Sequence, residues 1–383
     1  MKANSKQFDS LLVSRDSSFL KIASLKNGKI WQFFYQPLAK YKPSQDDIYL
    51  GKVIRITPQF IWVDIGEKNP GVLKRKLKEK PLTEGQRIIV QISKEEINDI
   101  VSHKGSRLTQ NIYISGKFCI YHPFNKNIFF SKNLSAITKQ KLSAFIGKET
   151  GFTLRTSSGS LMDISGLQKE MDHLRESWKF ISQTSQLRTG LIKSAPTRLE
   201  RLLRDTDPTT EVIFDDAGIL ASSKKHLTET DLGATNNFRL ASLKEQPLFE
   251  FFGIQDDWEM LTEPLVPLST GGNLYIEETA SATIIDVNGG EKSPEEINFE
   301  AVNPIIQQIR LRQLSGNIFI DFVRISSSSR KKLLIDFENH LKNENSQVVK
   351  ILGWSHLGFL ELQSPKHYDS LTKQLNQKST PKN

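Results

Sequence analysis

The chain has 383 residues, 37% of them apolar and 25% charged, which is enough for two or three compact units and too apolar for compositional disorder. No run approaches the ~18 uninterrupted apolar residues of a membrane helix, and the first residues lack the apolar core of a secretory signal. The single cysteine, Cys119, excludes an intramolecular disulfide framework and a cysteine-built zinc site within one chain. The expectation is a protein of a reducing, cytoplasmic compartment without membrane association. Charge is uneven: residues 1–200 carry 33 basic and 17 acidic residues, whereas residues 201–383 carry 19 and 26. A basic N-terminal half suits a polyanion, although a lysine-rich solvated surface gives the same count.

Residues 9–38 hold short β-patterned runs, SLLVS, FLKIASL and KIWQFFY, broken by turns such as Lys26-Asn27-Gly28. From Ile48 the strands become regularly spaced: IYLGKVIRI, FIWVDIG, GVLK, RIIVQISKE and then KFCIYH. This is the pattern of a small closed barrel such as an OB-fold. Phe60 and Trp62 fall on one side of their strand, because side chains alternate with a period of two. Facing outward they would stack bases, flanked by Lys52, Arg55 and the run Lys74, Arg75, Lys76, Lys78 and Lys80. Facing inward they would simply be barrel core.

GFTLRTSSG predicts a strand entering a polar turn, and Leu167, Met171, Leu174, Trp178 and Ile181 lie near helical spacing in an amphipathic segment. Further on, PTRLERLLRD reads as helix, and TEVIFDD and GILAS read as strands. The polar, basic tail from Ser364 predicts disorder.

Residues 271–323 carry the chemistry. After Gly271-Gly272, NLYIEE and ATIIDV predict a hairpin, and Ser293-Pro294-Glu295-Glu296 is a helix start. The helix runs on with a kink at Pro304, and GNIFIDFV then reads as a central strand covered on both faces. Asp286 ends ATIID and Asp321 interrupts IFIDFV. A helical crossover between the two strands would return Asp321 beside Asp286. Two converging carboxylates make the hard oxygen site that Mg²⁺ prefers, and Asn288 could reach a water on the same ion. Equally, each aspartate could cap a turn or pair with Arg310, Arg312 or Arg324, and spacing alone does not separate the readings. The seven histidines are scattered without i,i+4 pairing, and no GxSxG or phosphate-binding glycine loop is present, so zinc hydrolysis and serine hydrolysis are not indicated.

These residues resemble a known family. GGNLYIEETASATIIDVNGG followed by NFEAVNPIIQQIRLRQLSGNIFIDFV is similar to the catalytic segment of bacterial ribonuclease E/G. DIYLGKVIRITPQFIWVDIGEKNPGVL resembles that family's S1-type OB-fold, and GFTLRTSSG its pocket for a 5′-terminal phosphate. The matches run in the family's order from about residue 46 to 362. The resemblance implies an α+β fold. It further implies an RNase-H-like subdomain (residues 1–40 plus 200–268) interrupted by an OB-fold domain (41–122) and a 5′-phosphate sensor region (123–199). A deoxyribonuclease-I-like catalytic subdomain (269–363) and a disordered tail (364–383) are expected to follow.

It also implies a Mg²⁺-dependent endoribonuclease, with Mn²⁺ as a stand-in, that cuts single-stranded AU-rich RNA to 5′-phosphate and 3′-hydroxyl ends in rRNA processing and mRNA turnover. By position, Asp286 and Asp321 would hold the metal and Asn288 would assist. Arg155 and Thr156 would grip a 5′-monophosphate, and Trp62 would stack RNA. Several features depart from the family. No CxxC follows the catalytic segment, so a homodimer linked through zinc is not expected, although an unlinked homodimer is compatible. Val72 replaces a second barrel aromatic, Ser131-Lys132 and Gln363-Ser364-Pro365 stand where arginines would, and no long scaffold follows. The other reading is therefore a catalytically weak RNA-binding protein acting on rRNA precursors.

Overall fold

The structure, a computed structural model, describes residues 8–38, 43–75, 81–95, 97–99, 102–161, 164–183, 188–229, 237–242, 246–269, 271–344, 349–366 and 369–379. The chain divides into two compact units, one of Met1–Leu38, Thr209–Leu220 and Asn237–Asn383, the other of Ala39–Pro208 and Ala221–Asn236.

In the first unit the strands Ser10–Asp16, Phe19–Lys26 and Lys29–Pro37 form an antiparallel meander. Its second turn is Asn27-Gly28, with φ of 52° and 75°, the positive pair that a two-residue type I′ turn requires. Glu211–Phe214 joins parallel to the first strand and Asn237–Leu240 parallel to that, making a five-stranded sheet. Leu12, Ala23, Phe33 and Ile213 from this sheet bury with Phe249 and Trp258, and Trp258 stacks on Phe33 at 4.2 Å between centroids. The tail departs from expectation: Leu371–Ser379 is a helix. Leu371 is buried in this core and Gln374 Oε1 accepts the Tyr35 N–H at 3.0 Å. Leu371 and Leu375, one helical turn apart, anchor a segment whose average polarity hides them.

The same unit holds a six-stranded mixed sheet in the order Leu265–Pro267, Asn273–Glu278, Ala282–Asn288, Gly316–Asp321, Leu360–Ser364, Lys350–Trp354. The helix Pro294–Leu311 crosses between its two parallel strands. It begins at a capping box, in which Ser293 Oγ accepts the Glu296 N–H and the Glu296 side chain accepts the Ser293 N–H, with Pro294 in its first turn. Pro304 lies inside the helix and does not end it. Ile285, Val287, Ile318 and Ile320 bury against this helix and Ser327–Glu344 in one core. The alternate residues face away: Ile284, Asn288 and Asp321 are exposed, and Asp286 and Phe319 are half-buried. The strand through Asp321 is therefore central but, among the described residues, covered on one face only, which corrects the two-sided reading.

In the second unit, Ile48–Ile56, Phe60–Asp64, Gly71–Lys74, Arg107–Thr109 and Arg87–Lys94 pair in sequence around a barrel, closed by the pairing of the first with the last. Tyr49, Val53, Ile61, Val63, Val90 and Ile92 fill it. This five-strand barrel is consistent with an OB-fold. One expected barrel strand lies elsewhere: Cys119–Tyr121 pairs with Ile114–Ser115 and Phe152–Leu154 in a separate four-stranded sheet. The fifth barrel strand is instead the three-residue Arg107–Thr109, between Gly71–Lys74 and Arg87–Lys94 and too short to show a period in the sequence. Leu167, Met171, Leu174 and Ile181 of the helix Ser165–Gln183 bury against the four-stranded sheet. The helix Arg198–Asp205 also belongs to this unit and not to the N-terminal grouping expected for residue 200 onward. GILAS is helical, within Ala217–Glu229, because Asp216 Oδ1 accepts the Ile219 N–H at 2.9 Å and caps a helix start.

Candidate active site

Strand register brings two aspartates together. On the parallel strands Ala282–Asn288 and Gly316–Asp321, Asp286 pairs in register with Asp321. Neighbouring strands lie about 4.8 Å apart, so both carboxyls leave the same open face side by side. Burial first, and the charge of Asp286 second, hold the Asp321 carboxyl above the usual carboxylate range. Among the described residues neither aspartate has an arginine partner. Arg310 lies over the Trp31 ring at 3.6 Å, and Arg312 Nε donates to Gln308 Oε1 at 2.7 Å. Two adjacent carboxylates with no cation paired to them among the described residues are a donor set that fits a hard divalent ion completed by water and phosphate oxygens. Among the described residues no group of three or more His, Cys, Asp or Glu is placed to hold a metal.

Asn288 is exposed on the same face, and its Nδ2 donates to Asn273 Oδ1 at 3.3 Å. Two neighbours of this site are absent from the sequence-based expectations. Tyr275 lies opposite Asp286 in the hairpin and is 44% exposed. Asn298, fully buried in the crossover helix, clamps the backbone just past Asp321: its Nδ2 donates to the Val323 carbonyl at 2.7 Å and its Oδ1 accepts the Val323 N–H at 3.0 Å. A polar residue amid the apolar stripe of that helix was the available signal.

On the barrel, Phe60 and Trp62 face outward. Phe60 is 39% exposed, the rings meet edge to face at 6.3 Å, and the Arg55 guanidinium lies 5.3 Å from the Trp62 ring. Lys74 pairs with Phe60 in register and is exposed, as is Lys52. Lys76 lies outside the described residues. Val72 stands opposite Trp62, so the aromatic platform has two rings on this strand.

Arg155 and Thr156 sit where the strand Phe152–Leu154 enters the 3₁₀ turn Thr156–Ser160. The Arg155 guanidinium makes a two-pronged ion pair with Asp205, at 2.9 and 3.0 Å. Thr156 Oγ1 is hydrogen-bonded to Ser131 Oγ at 2.8 Å. Burial pushes the Asp205 carboxyl up, but hydrogen bonds from Arg204 and Arg155 outweigh it and hold the group below the usual carboxylate range.

One unit thus carries a surface of outward aromatics and cations, and the other an open carboxylate pair. A family model described as the ribonuclease E/G family matches residues 113–367. Ribonuclease G of Haemophilus influenzae is 25% identical over 399 residues, covering 94% of this chain and 80% of the relative. Ribonuclease E of Buchnera aphidicola subsp. Schizaphis graminum is 27% identical over 372 residues, covering 87% and 38%. A chloroplastic ribonuclease E/G-like protein of Arabidopsis thaliana is 28% identical over 317 residues, covering 75% and 31%. The chain spans well under half the length of these last two relatives. It belongs to the ribonuclease E/G family. Among the described residues no helix is long and apolar enough to cross a membrane.

Proposed function

We propose that this protein is a Mg²⁺-dependent endoribonuclease that cuts single-stranded AU-rich RNA, leaving 5′-phosphate and 3′-hydroxyl ends, in cytoplasmic rRNA processing and mRNA turnover. The observation that carries this reading is the register pairing of Asp286 with Asp321 on an open sheet face. The two carboxylates hold the ion, for which Mn²⁺ can substitute. Bound there, the metal supplies Lewis-acid activation of the scissile phosphate. Asn288, steadied by Asn273, orients a water or a phosphate oxygen through its amide. Phe60 and Trp62 stack bases upstream or downstream of the cut, and Lys52, Lys74 and Lys76 neutralise phosphates, which makes affinity fall with salt. Arg155 and Thr156 receive the 5′-terminal phosphate. In this reading the five-stranded mixed sheet is the RNase-H-like subdomain and the six-stranded sheet the deoxyribonuclease-I-like one.

The test is cleavage of a short AU-rich single strand in Mg²⁺ by wild type, Asp286→Asn and Asp321→Asn. Cleavage by wild type that both substitutions abolish, with binding kept, supports the mechanism. Binding without cleavage in every metal tried replaces it with the RNA-binding reading.

A further inference from the structure

The Arg155 side chain is held along one end of its guanidinium. Nη1 donates to the Gly116 carbonyl at 2.7 Å, to the Lys117 carbonyl at 3.3 Å and to Asp205 Oδ1 at 2.9 Å, while Nη2 donates to Asp205 Oδ2 at 3.0 Å. Asp205 in turn accepts Arg204 Nε at 2.8 Å and Arg204 Nη2 at 2.9 Å. One carboxylate thus lies between two guanidinium groups, and the trio keeps a net positive charge.

The two carbonyls that receive Nη1 belong to a peptide fixed from its other side. The Glu170 carboxylate accepts the N–H groups of Lys117, of Phe118 at 2.8 Å and of Cys119 at 2.9 Å. The approach is so close that a Cβ at Gly116 would lie 2.4 Å from Glu170 Cδ. Glu170 therefore turns the amides of residues 117–119 toward itself, and the carbonyls of Gly116 and Lys117 are left to meet Arg155.

Arginine has two bidentate edges, Nη1 with Nη2 and Nε with Nη2. Asp205 and the backbone use the first. Among the described residues Nε has no hydrogen-bond partner, so the second edge is the one left to receive a planar or tetrahedral anion. Thr156, the next residue, places its hydroxyl against Ser131 Oγ at 2.8 Å, and either oxygen of that pair can be the donor.

We propose that Asp205 and Glu170 are positioning residues that lock the Arg155 guanidinium with its Nε–Nη2 edge open to a 5′-terminal phosphate, and so set the preference for monophosphorylated RNA. This rests on the reading of Arg155 as the 5′-phosphate contact. A long arginine side chain normally loses its rotamer freedom when it binds; here Asp205 and the Gly116 carbonyl have already removed it. The charge of Arg204 keeps the locking carboxylate from cancelling the attraction for phosphate.

The experiment uses the full chain without metal and two RNA strands of one sequence, one with a 5′-monophosphate and one with a 5′-hydroxyl. Fluorescence anisotropy gives the ratio of their Kd values for wild type, Asp205→Asn, Arg204→Ala and Arg155→Ala. A merely structural loss weakens both strands alike and leaves the ratio alone. The expected result is a wild-type preference for the monophosphate that Arg155→Ala removes and Asp205→Asn lowers about tenfold. Arg204→Ala lowers it too, which keeps the proposal testable if Asp205→Asn fails to fold. A ratio that stays at the wild-type value, or rises, in Asp205→Asn while Arg155→Ala abolishes it overturns the positioning role; a rise would mean that Asp205 competes with phosphate. A ratio untouched by Arg155→Ala overturns the 5′-phosphate reading itself, and the positioning role with it.

Discussion

Asp286 and Asp321 occupy the same level of two parallel strands and leave the same face of the sheet, with Tyr275 on the far side of Asp286. Like charges at that spacing repel, and the carboxyl of Asp321 titrates above its ordinary value partly for this reason. Removing one charge should therefore stabilise the empty protein while disabling it. In metal-free buffer at pH 7, Asp286→Asn is expected to melt about 1–2 °C above wild type, the modest gain of relieving a partly exposed pair. A group with a raised folded-state value costs stability while ionised, and the cost vanishes as pH falls through that value. The gap between variant and wild type should accordingly close toward acid pH, as read by thermal melts at pH 7 and pH 4. A gap that widens in acid contradicts the pairing.

Mg²⁺ should reverse that order. If the pair holds the ion, millimolar Mg²⁺ raises the melting temperature of wild type and leaves those of Asp286→Asn and Asp321→Asn where they were. Chelation should return wild type to its starting value. Equal shifts in all three proteins would place the binding elsewhere.

The barrel platform predicts graded RNA binding. Trp62→Ala and Phe60→Ala should each weaken a single-stranded oligonucleotide by about 1–3 kcal/mol, with little dependence on sequence. Lys74→Ala should instead lower the slope of log affinity against log salt by about one. Titrations by anisotropy at several salt concentrations distinguish the two behaviours.

Leu371→Ala addresses the C-terminal helix. Leu371 is 1% exposed, and truncating a buried leucine costs about 2–4 kcal/mol. A variant as stable as wild type in urea would show that this helix does not dock.

Much of the fold could be read from local pattern. The period-two runs of residues 9–38, the Asn27-Gly28 turn and the capping box at Ser293 are decided by neighbours in the chain, and each formed as read. The two aspartates were visible because charge inside an apolar run is conspicuous, yet their pairing needed the register of strands 35 residues apart. Asp205 gave no signal at all. It lies 50 residues from Arg155 and ends an ordinary amphipathic helix, so only the tertiary fold makes it a partner. The tail is hard to read for the opposite reason: composition over twenty residues outweighs two leucines one turn apart.

The strand Ser10–Asp16 has a consequence for synthesis. Its parallel partner begins at Glu211, and the second unit is encoded almost entirely in between. A ribosome adding 5–20 residues per second reaches Glu211 roughly 10–40 s after Ser10. Throughout that interval the N-terminal meander carries an unpaired edge that invites other strands, while the barrel has everything it needs to close. The barrel strands, all within residues 48–109, thus leave the ribosome before Glu211 can complete the sheet around Ser10–Asp16, and Asp286 and Asp321 follow later still.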